Sequence, residues 1–208
     1  MTARNRTKIK LCGLSRDCDM EAVNVLKPDY IGFIFAPKSR RYVSPERAAK
    51  LKRALDPGIR TVGVFVNEDP DRIAALVESG TIDLVQLHGA EDAKYIRMLR
   101  KKVGAVPVIQ AFRIDGADDI RRAENSPADL VLLDSGTGGT GTVFDWDLAA
   151  RLERPCFLAG GLDPENVAAA VARLRPYAVD VSSGIETGGY KDREKMAAFV
   201  SAVRAAEQ

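Results

Sequence analysis

Leu158-Ala159-Gly160-Gly161 and Asp180-Val181-Ser182-Ser183-Gly184 decide the fold. Each closes or follows a short apolar run that reads as a β-strand, and a helix-like stretch comes after each. In a (β/α)8 barrel, the loops after strands 7 and 8 hold a phosphate against backbone N–H groups and a helix N-terminus. The two segments therefore predict a barrel that handles a small phosphorylated molecule. What it does to that molecule has to be read elsewhere in the chain.

The same alternation runs outward from these segments. Apolar runs rich in Val, Ile and Phe predict strands over 9–12, 30–35, 60–66, 84–87, 106–112, 130–134, 157–159 and 178–183. Amphipathic stretches lie between them. Ser44 and Pro45 open a helix over 45–55. Asp69 opens one over 70–79 that Gly80 closes, and another over 91–102 ends before Gly104 with basic residues in its last turn. Asp163 and Pro164 cap 165–174, which Pro176 stops, and 192–206 is the last helix. Strand–helix alternation implies a parallel sheet with right-handed crossovers. About eight such units in 208 residues favour closure into a single-domain barrel over 1–208, with 1–7 as a short N-terminal extension. An open doubly wound sheet is the runner-up. It should carry Gly-x-Gly-x-x-Gly after its first strand, where Cys12-Gly13-Leu14-Ser15 stands instead.

Bulk composition narrows the class. Hydrophobic residues make up 46% and charged residues 29% of the chain, as in ordinary globular proteins. A formal net charge of +2 argues against a dedicated nucleic-acid surface. The 3 cysteines, Cys12, Cys18 and Cys156, are too few and too scattered for a disulfide framework, and the single histidine leaves no His-rich metal site. No apolar run approaches membrane-spanning length, and residues 1–10 lack the apolar core of a signal peptide. The expectation is a cytoplasmic protein with a small-molecule ligand, acting without metal or cofactor, as monomer or homodimer.

Barrel enzymes place their chemistry at the C-terminal ends of strands. Cys12 ends the first strand, and Lys10 shares its face by two-residue alternation. A cation there favours the thiolate, the form that can take a proton. Asp134 closes the apolar run 130–133, and the glycine-rich run 136–141 that follows can wrap a ligand. Either residue alone has an ordinary reading, as a buried thiol or a loop anchor. Arg41 follows the second strand within Ser39-Arg40-Arg41-Tyr42, and its planar guanidinium suits a carboxylate. Gln86 and His88 share one face of the fourth strand. Asp180 and Ser182 share one face of the eighth, where Asp180 can pair with Lys10 inside the barrel.

These residues together resemble the phosphoribosylanthranilate isomerase family. The likeness is carried by Lys10-Leu11-Cys12-Gly13, Gly32-Phe33-Ile34-Phe35, Ser39-Arg40-Arg41-Tyr42-Val43, Gly63-Val64-Phe65-Val66-Asn67 and Val85-Gln86-Leu87-His88-Gly89. It continues through Gly138-Gly139-Thr140-Gly141, Phe144-Asp145-Trp146, Ala159-Gly160-Gly161-Leu162 and Val179-Asp180-Val181-Ser182-Ser183-Gly184. Any one block is modest; all of them in this order are specific. The resemblance implies a tryptophan-pathway (β/α)8 isomerase that carries out an Amadori rearrangement of N-(5'-phosphoribosyl)anthranilate. It implies Cys12 as general base and Asp134 as general acid. It places Arg41 near the anthranilate carboxylate and makes Gly160, Gly161, Ser183 and Gly184 phosphate ligands. Ring opening needs a proton on the furanose oxygen, and enolamine formation needs one removed from the sugar's second carbon. A positioned acid or base contributes about 10²–10⁴-fold to such a step.

Other phosphosugar barrels share the C-terminal phosphate site. An indole-glycerol-phosphate synthase would want a lysine acid at the mouth and a longer N-terminal segment. A ProFAR isomerase would want an aspartate where Cys12 stands and a second copy of the phosphate loops. A non-catalytic phospholigand-binding barrel would keep the glycine loops and lose the acid–base pair, but Cys12 and Asp134 are both present.

Overall fold

Eight parallel strands close on themselves in chain order. They are β1 (Lys8–Cys12), β2 (Tyr30–Ile34), β3 (Arg60–Phe65), β4 (Leu84–Leu87), β5 (Val108–Arg113), β6 (Leu130–Asp134), β7 (Cys156–Leu158) and β8 (Ala178–Val181). Closure comes from β1 pairing with β8, with Lys10 beside Asp180 and Leu11 beside Val181. The computed structural model describes residues 6–134 and 146–207. The predicted glycine-rich run 136–141 and Phe144-Asp145 lie outside the described residues.

The crossovers are α1 (Asp17–Leu26), α2 (Pro45–Arg53), α3 (Pro70–Glu78), α4 (Ala93–Val103), α5 (Ala117–Glu124), α6 (Trp146–Ala149), α7 (Val167–Leu174) and α8 (Arg193–Ala205). Local chemistry sets their ends. The Ser44 hydroxyl accepts from Arg47 N, with Pro45 at the first helical position. The Asp69 carboxylate accepts from Asp71 N, and Gly80 follows α3 at φ +68°. Asp163 caps the turn leading into α7, accepting from Glu165 N at 2.8 Å and Asn166 N at 2.9 Å. No helix among the described residues is long and apolar enough to cross a membrane.

Several strand limits differ from the sequence expectation. β5 starts at Val108 because Pro107 has no N–H to donate to a ladder. β7 stops at Leu158 and β8 at Val181, so Ala159, Gly160, Ser182 and Ser183 belong to rim turns. One element was not expected. A short antiparallel hairpin, β9 (Glu186–Thr187) and β10 (Tyr190–Lys191), stands between β8 and α8. Its turn is Gly188-Gly189, at φ +59° and +86°, which only glycine adopts readily at both places.

Two apolar layers hold the barrel. Tyr30, Val62, Leu84, Ile109, Leu132, Phe157 and Ala178 pack together as one cluster. The alternate strand residues, among them Ile9, Leu11, Ile31, Phe33, Val85 and Val131, pack with helix residues such as Leu51, Leu99 and Phe199 as the other. Residues 6 and 7 of the expected extension are tied down. Arg6 pairs with Asp29 at 2.9 Å, and Thr7 O accepts from Arg204 at 2.7 Å.

Candidate active site

A cavity of about 510 Å³ opens at the C-terminal end of the barrel. Its walls hold Cys12 from β1, Arg41 from the β2–α2 loop, Gln86 and His88 from β4, Asp134 from β6, Gly160 and Gly161 after β7, and Asp180 and Ser183 from β8 and beyond. The barrel thus brings together six of the seven residues to which the family resemblance gave roles. The seventh, Gly184, does not line the cavity. A Cβ at Gly184 would lie 2.0 Å from Leu162 O. Its missing side chain is what lets the turn after β8 press against the turn after β7. Gly160 and Gly161 take φ of +84° and +67°, a sharp turn at the rim that glycine makes without strain.

Cys12 sits 6% exposed at the floor of the cavity. Its neighbour across the ladder is Gly32, where a Cβ would lie 2.6 Å from Cys12 Sγ. The expected thiolate-favouring effect of Lys10 is outweighed. Burial pushes the Cys12 thiol above its ordinary value, and Lys10 and Lys191 only partly offset it. Lys10 is itself fully buried and bonded to Asp180 at 2.7 Å, so much of its charge is spent on that carboxylate. Even so, Lys10 stays protonated: burial disfavours its charge, and Asp180 and Cys12 together more than restore it. Asp180 Oδ1 is buried without a partner among the described residues.

Across the mouth, Asp134 Oδ2 lies 3.4 Å from His88 Nε2. His88 Nδ1 is in turn 3.0 Å from Gln86 Nε2, a chain that holds the imidazole edge toward Asp134. Sequence reasoning placed Gln86 and His88 on one face but gave them no partner; their side-chain chain to β6 exists only in the closed barrel.

Arg41 reaches the cavity with its guanidinium already engaged. Nε donates to Glu186 Oε1 at 2.6 Å and Nη2 to Oε2 at 2.9 Å. Lys191 Nζ donates to Glu186 Oε1 at 2.7 Å and to Ser182 O at 2.7 Å. Burial opposes ionisation of Glu186, but hydrogen bonds from Arg41 and Lys191 prevail and push its carboxyl down to about 2. Neither Glu186 nor Lys191 was singled out in the sequence. The Gly188-Gly189 pair between short β-prone segments was the available signal, since it marks the hairpin that carries both.

Residues 9–202 match the family model described as N-(5'phosphoribosyl)anthranilate (PRA) isomerase. A curated N-(5'-phosphoribosyl)anthranilate isomerase from Endomicrobium trichonymphae is 46% identical over 201 residues, covering 95% of this chain and 98% of that protein. A crystal structure of a phosphoribosyl anthranilate isomerase in complex with reduced 1-(o-carboxyphenylamino)-1-deoxyribulose 5-phosphate superposes with a TM-score of 0.85 at 36% identity, covering 96% and 99% of the two chains. A structure of mutually generated monomers of the dimeric enzyme from Thermotoga maritima gives 0.84 at 37% identity, again covering 96% and 99%.

Proposed function

The chain belongs to the N-(5'-phosphoribosyl)anthranilate isomerase family, and from that premise we propose how its own residues carry out the reaction. The enzyme converts N-(5'-phosphoribosyl)anthranilate to 1-(2-carboxyphenylamino)-1-deoxyribulose 5-phosphate in tryptophan biosynthesis. The observation that carries the residue assignment is the placement of Cys12 and Asp134 in the wall of one cavity together with the two rim turns. Gly160, Gly161 and Ser183 bind the 5'-phosphate at the turns after β7 and β8, and Gly184 lets those turns close on each other. Arg41 meets the anthranilate carboxylate with a planar fork. The ribose then spans the mouth between the two reactive groups.

Asp134 gives its proton to the furanose oxygen as the C1–O bond breaks, and the nitrogen lone pair forms the C1=N bond of an iminium. Cys12, as thiolate, takes the proton from C2. The C2–H electrons form C1=C2 and the C1=N pair returns to nitrogen, leaving an enolamine. Its tautomerisation to the 2-ketone, with a proton delivered to C1, completes the rearrangement. Every atom of the substrate is retained, so acid–base catalysis is sufficient.

The chain acts as one domain over 1–208, in the cytoplasm, as monomer or homodimer; the dimeric relative of Thermotoga maritima supports the second form. Freshly made phosphoribosylanthranilate, followed by loss of its fluorescence, tests the assignment. Wild type turns over, while Cys12→Ser and Asp134→Asn each lose about 10²–10⁴-fold in kcat. An inert wild type overturns the activity, and near-wild-type rates in both variants overturn the assignment of acid and base.

A further inference from the structure

Glu186 lies on the wrong side of the charge balance for a site that binds a phosphate and a carboxylate. It is nonetheless one of the most enclosed carboxylates in the molecule, its side chain 5% exposed. Three cations converge on it: Arg40, Arg41 and Lys191, at 2.5, 2.6 and 2.7 Å. Of these, Lys191 is 2% exposed and Arg40 59%, so Lys191 is an enclosed partner of Glu186 and Arg40 a surface one.

The atoms used by Arg41 are informative. Glu186 takes Nε and one hydrogen of Nη2, the side edge of the guanidinium. That leaves the end edge, Nη1 with the other Nη2 hydrogen, with no carboxylate of the described residues on it. A guanidinium is planar, so fixing one edge fixes the direction of the other. The stem is fixed too. Gly13, at φ +80°, lies where a Cβ would be 2.6 Å from Arg41 Cδ, so the side chain runs tight over the turn that follows Cys12.

We propose that Glu186 is the positioning residue for Arg41, aiming the end edge of its guanidinium at the substrate's aryl carboxylate, and that Lys191 supplies the charge that keeps Arg41 attractive to an anion. Without Lys191, the enclosed part of the cluster would set the Glu186 carboxylate against the Arg41 guanidinium alone and cancel most of its field, since Arg40, 59% exposed, is screened by solvent. With it, the buried cluster retains a net positive charge at the cavity wall. Lys191 also holds Ser182 O, so the same lysine ties the carboxylate end of the site to the phosphate turn. The hairpin β9–β10 exists in this account to bring Glu186 and Lys191 back over the mouth. This inference rests on the isomerase reading and on Arg41 as the carboxylate ligand.

Steady-state kinetics of Glu186→Gln, with inorganic phosphate and anthranilate as competitive inhibitors, tests it. The variant keeps the size of the side chain and loses the charge. Its KM and its anthranilate Ki rise about tenfold, while kcat changes by less than about threefold and the phosphate Ki by less than about twofold. A fall in KM would mean that Glu186 competes with substrate, and an equal rise in phosphate Ki would mean general damage to the site; either overturns the proposal. Arg41→Lys supplies the second arm, since an ammonium has no second edge to aim. In that background, Glu186→Gln adds less than about twofold to KM. A full tenfold rise there shows that Glu186 does not act through Arg41. Wild-type inactivity on phosphoribosylanthranilate would instead fail the isomerase reading itself.

Discussion

Cys12 shows how far a single residue can be read in isolation. Its place at the end of a strand, before Gly13 and two residues after Lys10, was visible in the chain. The direction of its acidity was not. Lys10 points its ammonium at Asp180, and the sealed floor of the barrel disfavours a thiolate more than the remaining field favours it. The ligand-free protein therefore carries the Cys12 proton at neutral pH. Because the reactive form is the thiolate, alkylation of Cys12 by iodoacetamide, read by peptide mass spectrometry, speeds up with pH through neutrality and keeps rising above the ordinary thiol value of about 8.5. A pH–rate profile that levels off below pH 8 would contradict this. Arg41 is a second case. Its residue type suggested carboxylate recognition, but its partner Glu186 lies 145 positions away, beyond any local pattern.

At the scale of elements, the connection from β8 to α8 holds most of the functional detail. Ser182 leaves the strand, Ser183–Ile185 forms a single 3₁₀ turn, and the hairpin returns Lys191 beneath it. Asp192 then starts α8, accepting from Glu194 N at 2.9 Å. The apolar run of β8 and the long final helix were both legible from hydrophobic pattern. The hairpin was not, because two-residue strands have too little length to show a period. Gly184 is the tightest point of the connection. Gly184→Ala forces a methyl against Leu162 O and separates the turns after β7 and β8. It costs about 1–3 kcal/mol of stability, measured as a shift in urea midpoint. It also weakens inhibition by inorganic phosphate, whereas an alanine at Gly104, where a Cβ meets nothing within 4 Å, leaves that inhibition unchanged.

For the molecule as a whole, the decisive contact is the seam between β1 and β8. There Lys10 and Asp180 form an ion pair, 0% and 8% exposed, in register across the ladder that closes the barrel. Such a pair is not a simple gain, since desolvation offsets its attraction, but removing one partner strands the other. Lys10→Met destabilises the fold by about 3–5 kcal/mol, and adding Asp180→Leu recovers much of that loss, read from urea unfolding. A double variant no more stable than the single one would show that the lysine acts by packing alone. Strand–helix alternation, the caps at Ser44, Asp69 and Asp163, and the glycine turns after β7 and β8 determined a (β/α)8 barrel and the end of it that carries the cavity from sequence alone. These signals are local: each depends on residues within a turn or a strand of one another. Tertiary structure decided what Cys12, Asp134 and Arg41 meet. Apart from Lys10, which shares a strand with Cys12, those partners come from other strands and from a hairpin near the end of the chain, so closure of the barrel sets their charge and direction.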